Sequence, residues 1–384
     1  MNKLFPTQEI GSLAKPAWRV KGYRGEPLSE GEIAEALNWG RRLGVEGLDE
    51  LVKILKSRER TAEDKRAILE WAAKFVIRLF ENAGLDILFD GEQWRSEMYE
   101  HVIRNAEGFR FLGYVKSFDY RYFNKAACIS KPKYVKTFYV EEFVFTRKNT
   151  SKEVKVPFTG PYTLVDWTFN EYYEKKLGRK IKDFKQRKLE ARKEFLFDLI
   201  KEVIRPEIGK LVEAGAKWIQ IDEPAATTNP SAEEMEMFVE SFNETVKGFN
   251  CTFSLHNCYS NYEILARYAT ELRNCNQLAL EFANRDSRQI GVGDVRIGYR
   301  ELKLFEDYGF KGKYGLGVID VHTDFIEPPE LVRDRILNAA KLVGDPSKIF
   351  VSTDCGLRTR TWEVSFAKLK NMVLGADLAR KALS

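Results

Sequence analysis

Any metal or acid–base chemistry in this chain must draw on a short list of imidazoles and thiols. The 384 residues include three histidines, His101, His256 and His322, and five cysteines, Cys128, Cys251, Cys258, Cys275 and Cys355. His256 and Cys258 stand two apart, a spacing that turns both side chains to one face of an extended chain. Glu281 and Cys355 complete a set of two thiolates, one imidazole and one carboxylate, a mixed tetrahedron that borderline-soft Zn²⁺ favours. With those ligands the ion carries a formal charge of about −1, a poor Lewis acid for splitting water. It suits a different task, holding a substrate thiol as thiolate. A free thiol of pKa ~8.5 is a few per cent ionised at neutral pH, so complete deprotonation gains about thirtyfold, or ~2 kcal/mol. The rest of any acceleration must come from aligning thiolate and electrophile. Glu281, the hardest of the four donors, is the natural one to yield to an incoming sulfur.

Other residues fit an amino-acid substrate. Glu92 and Asp222 can clamp an ammonium, and backbone N–H groups around Gly11-Ser12 can take a carboxylate. The ordinary alternative for both acids is a structural ion pair or a helix cap. His322, in Ile319-Asp320-Val321-His322, can act as a general acid with Asp320 on the same strand face, or simply be hydrogen-bonded. His101, beside Tyr99 and Glu100, reads as structural. Cys128, Cys251 and Cys275 read as packing, Cys251 beginning a strand and Cys275 ending a helix. A lone H-x-C is weak evidence by itself, since buried cysteines are usually inert. What favours a metal is the placement of these residues along the chain.

That placement follows an alternation of short apolar runs with long amphipathic stretches. Runs at 5–11, 85–90, 155–159, 217–222, 251–256, 277–281, 314–321 and 349–353 predict strands. Helical periodicity fills most intervals, at 29–57, 62–83, 184–215, 231–247, 260–273, 298–308, 329–343 and 363–381. Eight such units predict an α/β fold, a closed (β/α)8 barrel of TIM type, as one catalytic domain over 1–384. The unit between the second and third strands is swollen. Its residues 108–150 alternate aromatic and polar positions and predict a β-rich insertion, a subdomain or lid. Barrel chemistry gathers at the carboxyl ends of strands. Gly11-Ser12, Glu92, Asp222, His256, Cys258, Glu281, His322 and Cys355 all fall there, so one pocket can hold them.

Composition sets the outer bounds. With 44% apolar and 31% charged residues the chain has ample material for a core. No stretch reaches the ~18 continuous apolar residues of a membrane span. The N-terminus lacks a signal core, and an odd number of cysteines without framework spacing predicts a reducing cytoplasm. The net charge of +5 is local: residues 175–193 hold ten Lys/Arg and two Asp/Glu, leaving −3 elsewhere. That stretch reads either as a docking face for an acidic protein or as a solvated helix face whose buried side is Ile181 and Phe184. No nucleic-acid module accompanies it.

With these residues in view, the chain resembles cobalamin-independent methionine synthase, specifically the C-terminal catalytic barrel of that family. The stretches that carry the resemblance are IGS (10–12), GE (91–92), TGP and DWTF (159–161, 166–169), QIDEPA (220–225), HNCYS (256–260), LEF around Glu281, GVIDVH (317–322) and DCGLRTR (354–360). They run in the family's order from first strand to last. The resemblance implies zinc-dependent methyl transfer to L-homocysteine, giving L-methionine. His256, Cys258, Glu281 and Cys355 match the family's zinc ligands. Ile10, Gly11, Ser12, Glu92 and Asp222 match its homocysteine site, and His322 its proton donor. On the donor side Trp167 matches a residue stacking near folate, and Arg121 and Tyr122 fall near other folate contacts. Two departures stand out. The family's long form carries a second, N-terminal barrel that has no counterpart here. Thr227-Thr228 also stand where the motif after QIDEPA usually brings a folate-contacting glutamate. Short, single-barrel relatives are associated with corrinoid donors, so the donor expected is methylcobalamin or a methylated corrinoid protein rather than methyl-folate. The competing readings are a related thiol methyltransferase acting on another acceptor, such as coenzyme M, and a non-catalytic binding protein stabilised by structural zinc.

Overall fold

The computed structural model describes residues 3–116 and 122–383. A ring of parallel pairings defines the architecture. Strands β1 (Ile87–Leu88), β2 (Ala106–Lys116), β3 (Tyr122–Tyr134), β4 (Glu153–Val154), β5 (Val156–Thr159), β6 (Trp218–Asp222), β7 (Thr252–Asn257), β8 (Cys275–Leu280), β9 (Lys313–Ile319) and β10 (Ile349–Thr353) occur in this order. From β5 to β10 each strand pairs in parallel with the next. β1 pairs with β4, which Lys155 alone separates from β5. The predicted first strand closes the ring through isolated parallel bridges, Thr7 to Val351 and Gln8 to Ile87. The result is the predicted eight-membered (β/α)8 barrel, its members being the 5–11 segment, β1, β4–β5 and β6 to β10.

The strands are buried over nearly their whole length, as continuous apolar runs such as Trp218-Ile219 and Leu278-Ala279-Leu280 require when side chains fill the barrel and helices cover it. Capping sets the helix starts. Ser29 with Glu32 and Thr61 with Asp64 form reciprocal capping boxes at helices Glu30–Arg42 and Ala62–Ala83. The predicted helix over 29–57 is broken in two, Glu30–Arg42 and Leu48–Lys56, because Gly44 and Gly47 adopt φ of 68° and 77°. Helix 184–215 carries a wide turn at Ile200–Ile204, where Pro206 removes the N–H that the preceding turn needs.

The insertion is a long antiparallel hairpin, β2 with β3, followed by helix Val140–Asn149. The β-rich expectation over 108–150 therefore fails in its last third. Tyr139, Phe143 and Thr146 are buried at spacings of four and three, with Glu142 buried beside them, so packing selects a helical face from aromatic-rich sequence. Phe184, expected to face inward, is 55% exposed with Lys188 and Arg187 against its ring. Among the described residues no helix is long and apolar enough to cross a membrane.

Candidate metal centre and substrate pocket

The carboxyl ends of β7 and β10 bring three of the four predicted ligands together. The donor atoms of His256, Cys258 and Cys355 lie within 4.8 Å of one another, and the two sulfurs stand 3.7 Å apart. A tetrahedron with metal–sulfur bonds of about 2.3 Å has an edge of about 3.8 Å, so this spacing fits two thiolates on one zinc. His256 is buried, with Nδ1 3.0 Å from the Ala279 carbonyl. That contact assigns the ring proton to Nδ1 and leaves Nε2, which has no hydrogen-bond partner, as the lone-pair nitrogen. Contact with the Cys258 sulfur holds the Cys355 thiol well below its ordinary range, against burial. A thiolate beside a lone-pair imidazole nitrogen is what a metal cation needs.

Glu281 follows β8 directly but stands outside that triangle. Its Oε1 accepts the Tyr259 N–H at 2.9 Å and an Arg285 contact at 3.3 Å, while its buried Oε2 has no partner. The carboxylate is thus held from one side with one oxygen uncommitted. Asp354 ties the ligand loops to each other. It accepts N–H bonds from Phe282 and Ala283 at 2.9 Å each and from Asn284 at 2.7 Å, joining the segment after Glu281 to the residue before Cys355.

On the other side of the pocket the 10–13 segment runs between two loops. Leu13 donates to the Gly91 carbonyl at 3.0 Å and bridges Leu357 in parallel. The fit is close: a Cβ added to Gly356 would stand 2.2 Å from Ser12 Oγ, and one on Gly11 would stand 2.7 Å from Glu92 Oε1. Glu92 holds a left-handed φ of 57°, a conformation costly for a residue with a side chain and one that clusters at functional sites. Its Oε1 lies 3.6 Å from Arg95. Asp222 ends β6, and burial lifts its carboxyl to about 7, against the pull of His256 and with Glu92 adding to the rise. Gln220 orients it, donating to Asp222 Oδ1 at 2.8 Å and to the Ile10 carbonyl at 2.7 Å. The amide of Gln220 is in turn fixed by Lys155 Nζ, which reaches its oxygen at 2.5 Å from the barrel interior.

His322 lies on the loop after β9, its Nδ1 2.7 Å from the Tyr259 hydroxyl. Asp320 Oδ1 accepts the His322 backbone N–H at 2.9 Å, so that carboxylate serves the turn. Tyr259, left-handed at φ 53°, therefore touches both the Glu281 carboxylate and the His322 ring. Only its position next to Cys258 could have drawn attention to it in the sequence. Trp167 sits in an aromatic cluster, stacked on Phe123 of the hairpin at 5.1 Å and 6.2 Å from Tyr99. Arg121 lies outside the described residues, as does the side chain of Tyr122. His101 is structural as expected, with Nε2 3.0 Å from the Phe138 carbonyl and 3.1 Å from Glu142.

Parallel strands in a closed ring, with thiols, imidazole and carboxylates gathered at their carboxyl ends, define a barrel enzyme of the (β/α)8 class. Residues 48–378 match the family model described as the cobalamin-independent synthase catalytic domain. A methionine synthase of Pyrococcus horikoshii is 36% identical over 381 residues, covering 99% of this chain and 94% of its own. One from Thermoplasma acidophilum is 38% identical over 343 residues, covering 87% and 96%. A solved B12-independent methionine synthase from Shewanella superposes with a TM-score of 0.74 at 24% identity, covering 99% of both chains, which shows the shared fold. The chain belongs to the cobalamin-independent synthase family, and it is a methyltransferase.

Proposed function

We propose that this protein methylates the thiol of L-homocysteine to give L-methionine. The zinc it uses is held by His256, Cys258, Cys355 and Glu281, and the methyl donor is methylcobalamin or a methylated corrinoid protein. The observation that carries the reading is the cluster of His256, Cys258 and Cys355 donor atoms within 4.8 Å, in a chain of this family. The unpartnered His256 Nε2 and Glu281 Oε2 support the same four donors.

Bound zinc supplies a substrate sulfur held as thiolate at neutral pH. The chain's own residues do the rest. Asp222 and Glu92 receive the α-ammonium, and the cation's arrival returns Asp222 to its carboxylate form. The backbone at Gly11-Ser12 faces the amino acid's carboxyl end. Glu281, its Oε1 held by the Tyr259 N–H, would be the metal ligand to yield its place to a substrate sulfur. The methyl group then passes to sulfur as a carbon electrophile, and the electron pair of the broken bond stays with the donor. A folate nitrogen must be protonated to leave, a task for His322, whereas Co(I) leaves without a proton. Thr227-Thr228 support a corrinoid donor, since their hydroxyls are occupied within the loop, with Asn261 N–H and the Ala225 carbonyl. The paired carboxylates favour an α-ammonium and oppose the sulfonate of coenzyme M.

The test is a methyl-transfer assay on the zinc-loaded protein with homocysteine and either methylcobalamin or methyl-folate. Methionine should form from methylcobalamin, and Cys355→Ser should abolish it. Stoichiometric zinc with no turnover from any methyl donor contradicts the proposal.

A further inference from the structure

Around Glu92 lies a group of cations that the mechanism above does not use: Lys15, Arg19, Arg95 and Arg358. Three of them are committed. Arg19 donates to the carbonyls of Gln93 at 2.9 Å and Arg95 at 3.1 Å. Arg95 is bound to Glu142 at 2.7 Å, and Arg358 lies 3.9 Å from Glu97. Among the described residues Lys15 has no hydrogen bond or ion pair. It is only half-buried. Yet burial pulls its pKa down to about 7, with Arg358 and Arg19 pushing the same way and Glu92 opposing them. An ammonium that keeps contact with solvent while like charges repel it lacks an anion.

The backbone places Lys15 beside the substrate pocket. Lys15 follows Leu13, which is bonded to Gly91 and bridged to Leu357, and Ala14, whose carbonyl accepts the Trp362 indole N–H at 2.8 Å. Lys15 therefore sits where the Ser12, Glu92 and Arg358 loops meet. An α-amino acid carries its ammonium and its carboxylate on one carbon. A group that binds the carboxylate must then stand within one residue's reach of the carboxylates that bind the ammonium.

We propose that Lys15 is the anion anchor for the α-carboxylate of the amino-acid substrate. It makes the pocket selective for a thiol bearing both charges over one bearing the ammonium alone. The inference rests on the homocysteine reading but is tested apart from it. Replacing Lys15 by Met removes one charge-assisted contact, which should weaken binding about tenfold to hundredfold. For the zinc-loaded protein, calorimetry should show that loss in the Kd of L-homocysteine and of L-methionine, with zinc content unchanged. In turnover the loss should fall on KM. With 3-aminopropane-1-thiol, which lacks the carboxylate, wild type and Lys15→Met should perform alike. Wild-type KM for homocysteine should rise above about pH 7 as the lysine loses its proton. Lys15→Arg, which stays charged beside Arg358, Arg19, Arg95 and Glu92, should flatten that rise. Equal losses for the thiols with and without the carboxylate, or an unchanged Kd for homocysteine, overturn the proposal. If wild type binds homocysteine but never methylates it, the methyl-transfer reading fails while the Kd comparison still decides the role of Lys15.

Discussion

Asp354→Asn probes how the ligand loops are held. The native carboxylate is fully buried and spans β9 to take three N–H donors, Phe282 and Ala283 on Oδ1 and Asn284 on Oδ2. Asparagine has the same size but a single acceptor oxygen, so its NH₂ must face an N–H whichever way the amide turns. Losing one charge-assisted bond and leaving one buried donor unmade costs about 2–4 kcal/mol. Unfolding entropy of about 2.1 cal/mol/K per residue converts 3 kcal/mol into a Tm drop of roughly 4 °C for a chain this long. Because Asp354 adjoins Cys355 and grips the segment after Glu281, part of that loss should appear as zinc affinity weakened about 10–100-fold. Thermal melting, together with zinc competition against a chromophoric chelator, reads both effects. A variant that melts lower yet binds zinc as tightly as wild type would refute the coupling, leaving Asp354 a support of the fold alone.

Other substitutions test separate parts of the pocket. Gly356→Ala should raise KM for homocysteine and cost about 1–3 kcal/mol of stability, since the new methyl meets Ser12 Oγ; steady-state kinetics and melting check both. His322→Asn should leave methylcobalamin-dependent turnover within a few-fold while removing any methyl-folate activity, and comparable losses with both donors would overturn the corrinoid assignment. Tyr259→Phe keeps the backbone N–H on Glu281 but removes the hydroxyl from His322. Zinc content should stay level, while any His322-dependent turnover falls.

The barrel was legible because its strand ends are marked by unlike residues. QIDEPA, HNCYS and DCG place charge, sulfur or imidazole where an apolar run stops, and no helix surface imposes that pattern. His256 and Cys258 converge because a two-residue spacing on an extended chain allows nothing else, and Cys355 joins them because the ring of strands closes. The insertion was harder to read. Residues 139–149 carry aromatics at both two- and four-residue spacings, and only packing of Phe143 and Thr146 against the barrel selects the helix. Tyr259, Lys15 and the Lys155–Gln220–Asp222 chain were invisible for another reason. Their roles depend on which side chains meet across loops and through the barrel interior, a three-dimensional fact that spacing does not encode. Glu281 falls between: its position after β8 was foreseeable, while its engagement by Tyr259 and Arg285 was not.

The central claim is that four distant side chains surround one zinc that accepts a substrate sulfur, and X-ray absorption at the zinc edge tests it most directly. Without substrate the account predicts a first shell of two sulfurs, one nitrogen and one oxygen. On adding L-homocysteine a third sulfur should replace the oxygen, and Glu281→Gln should weaken only the substrate-free oxygen shell. A shell that homocysteine leaves unchanged, or protein carefully loaded that retains no stoichiometric zinc, would contradict the account.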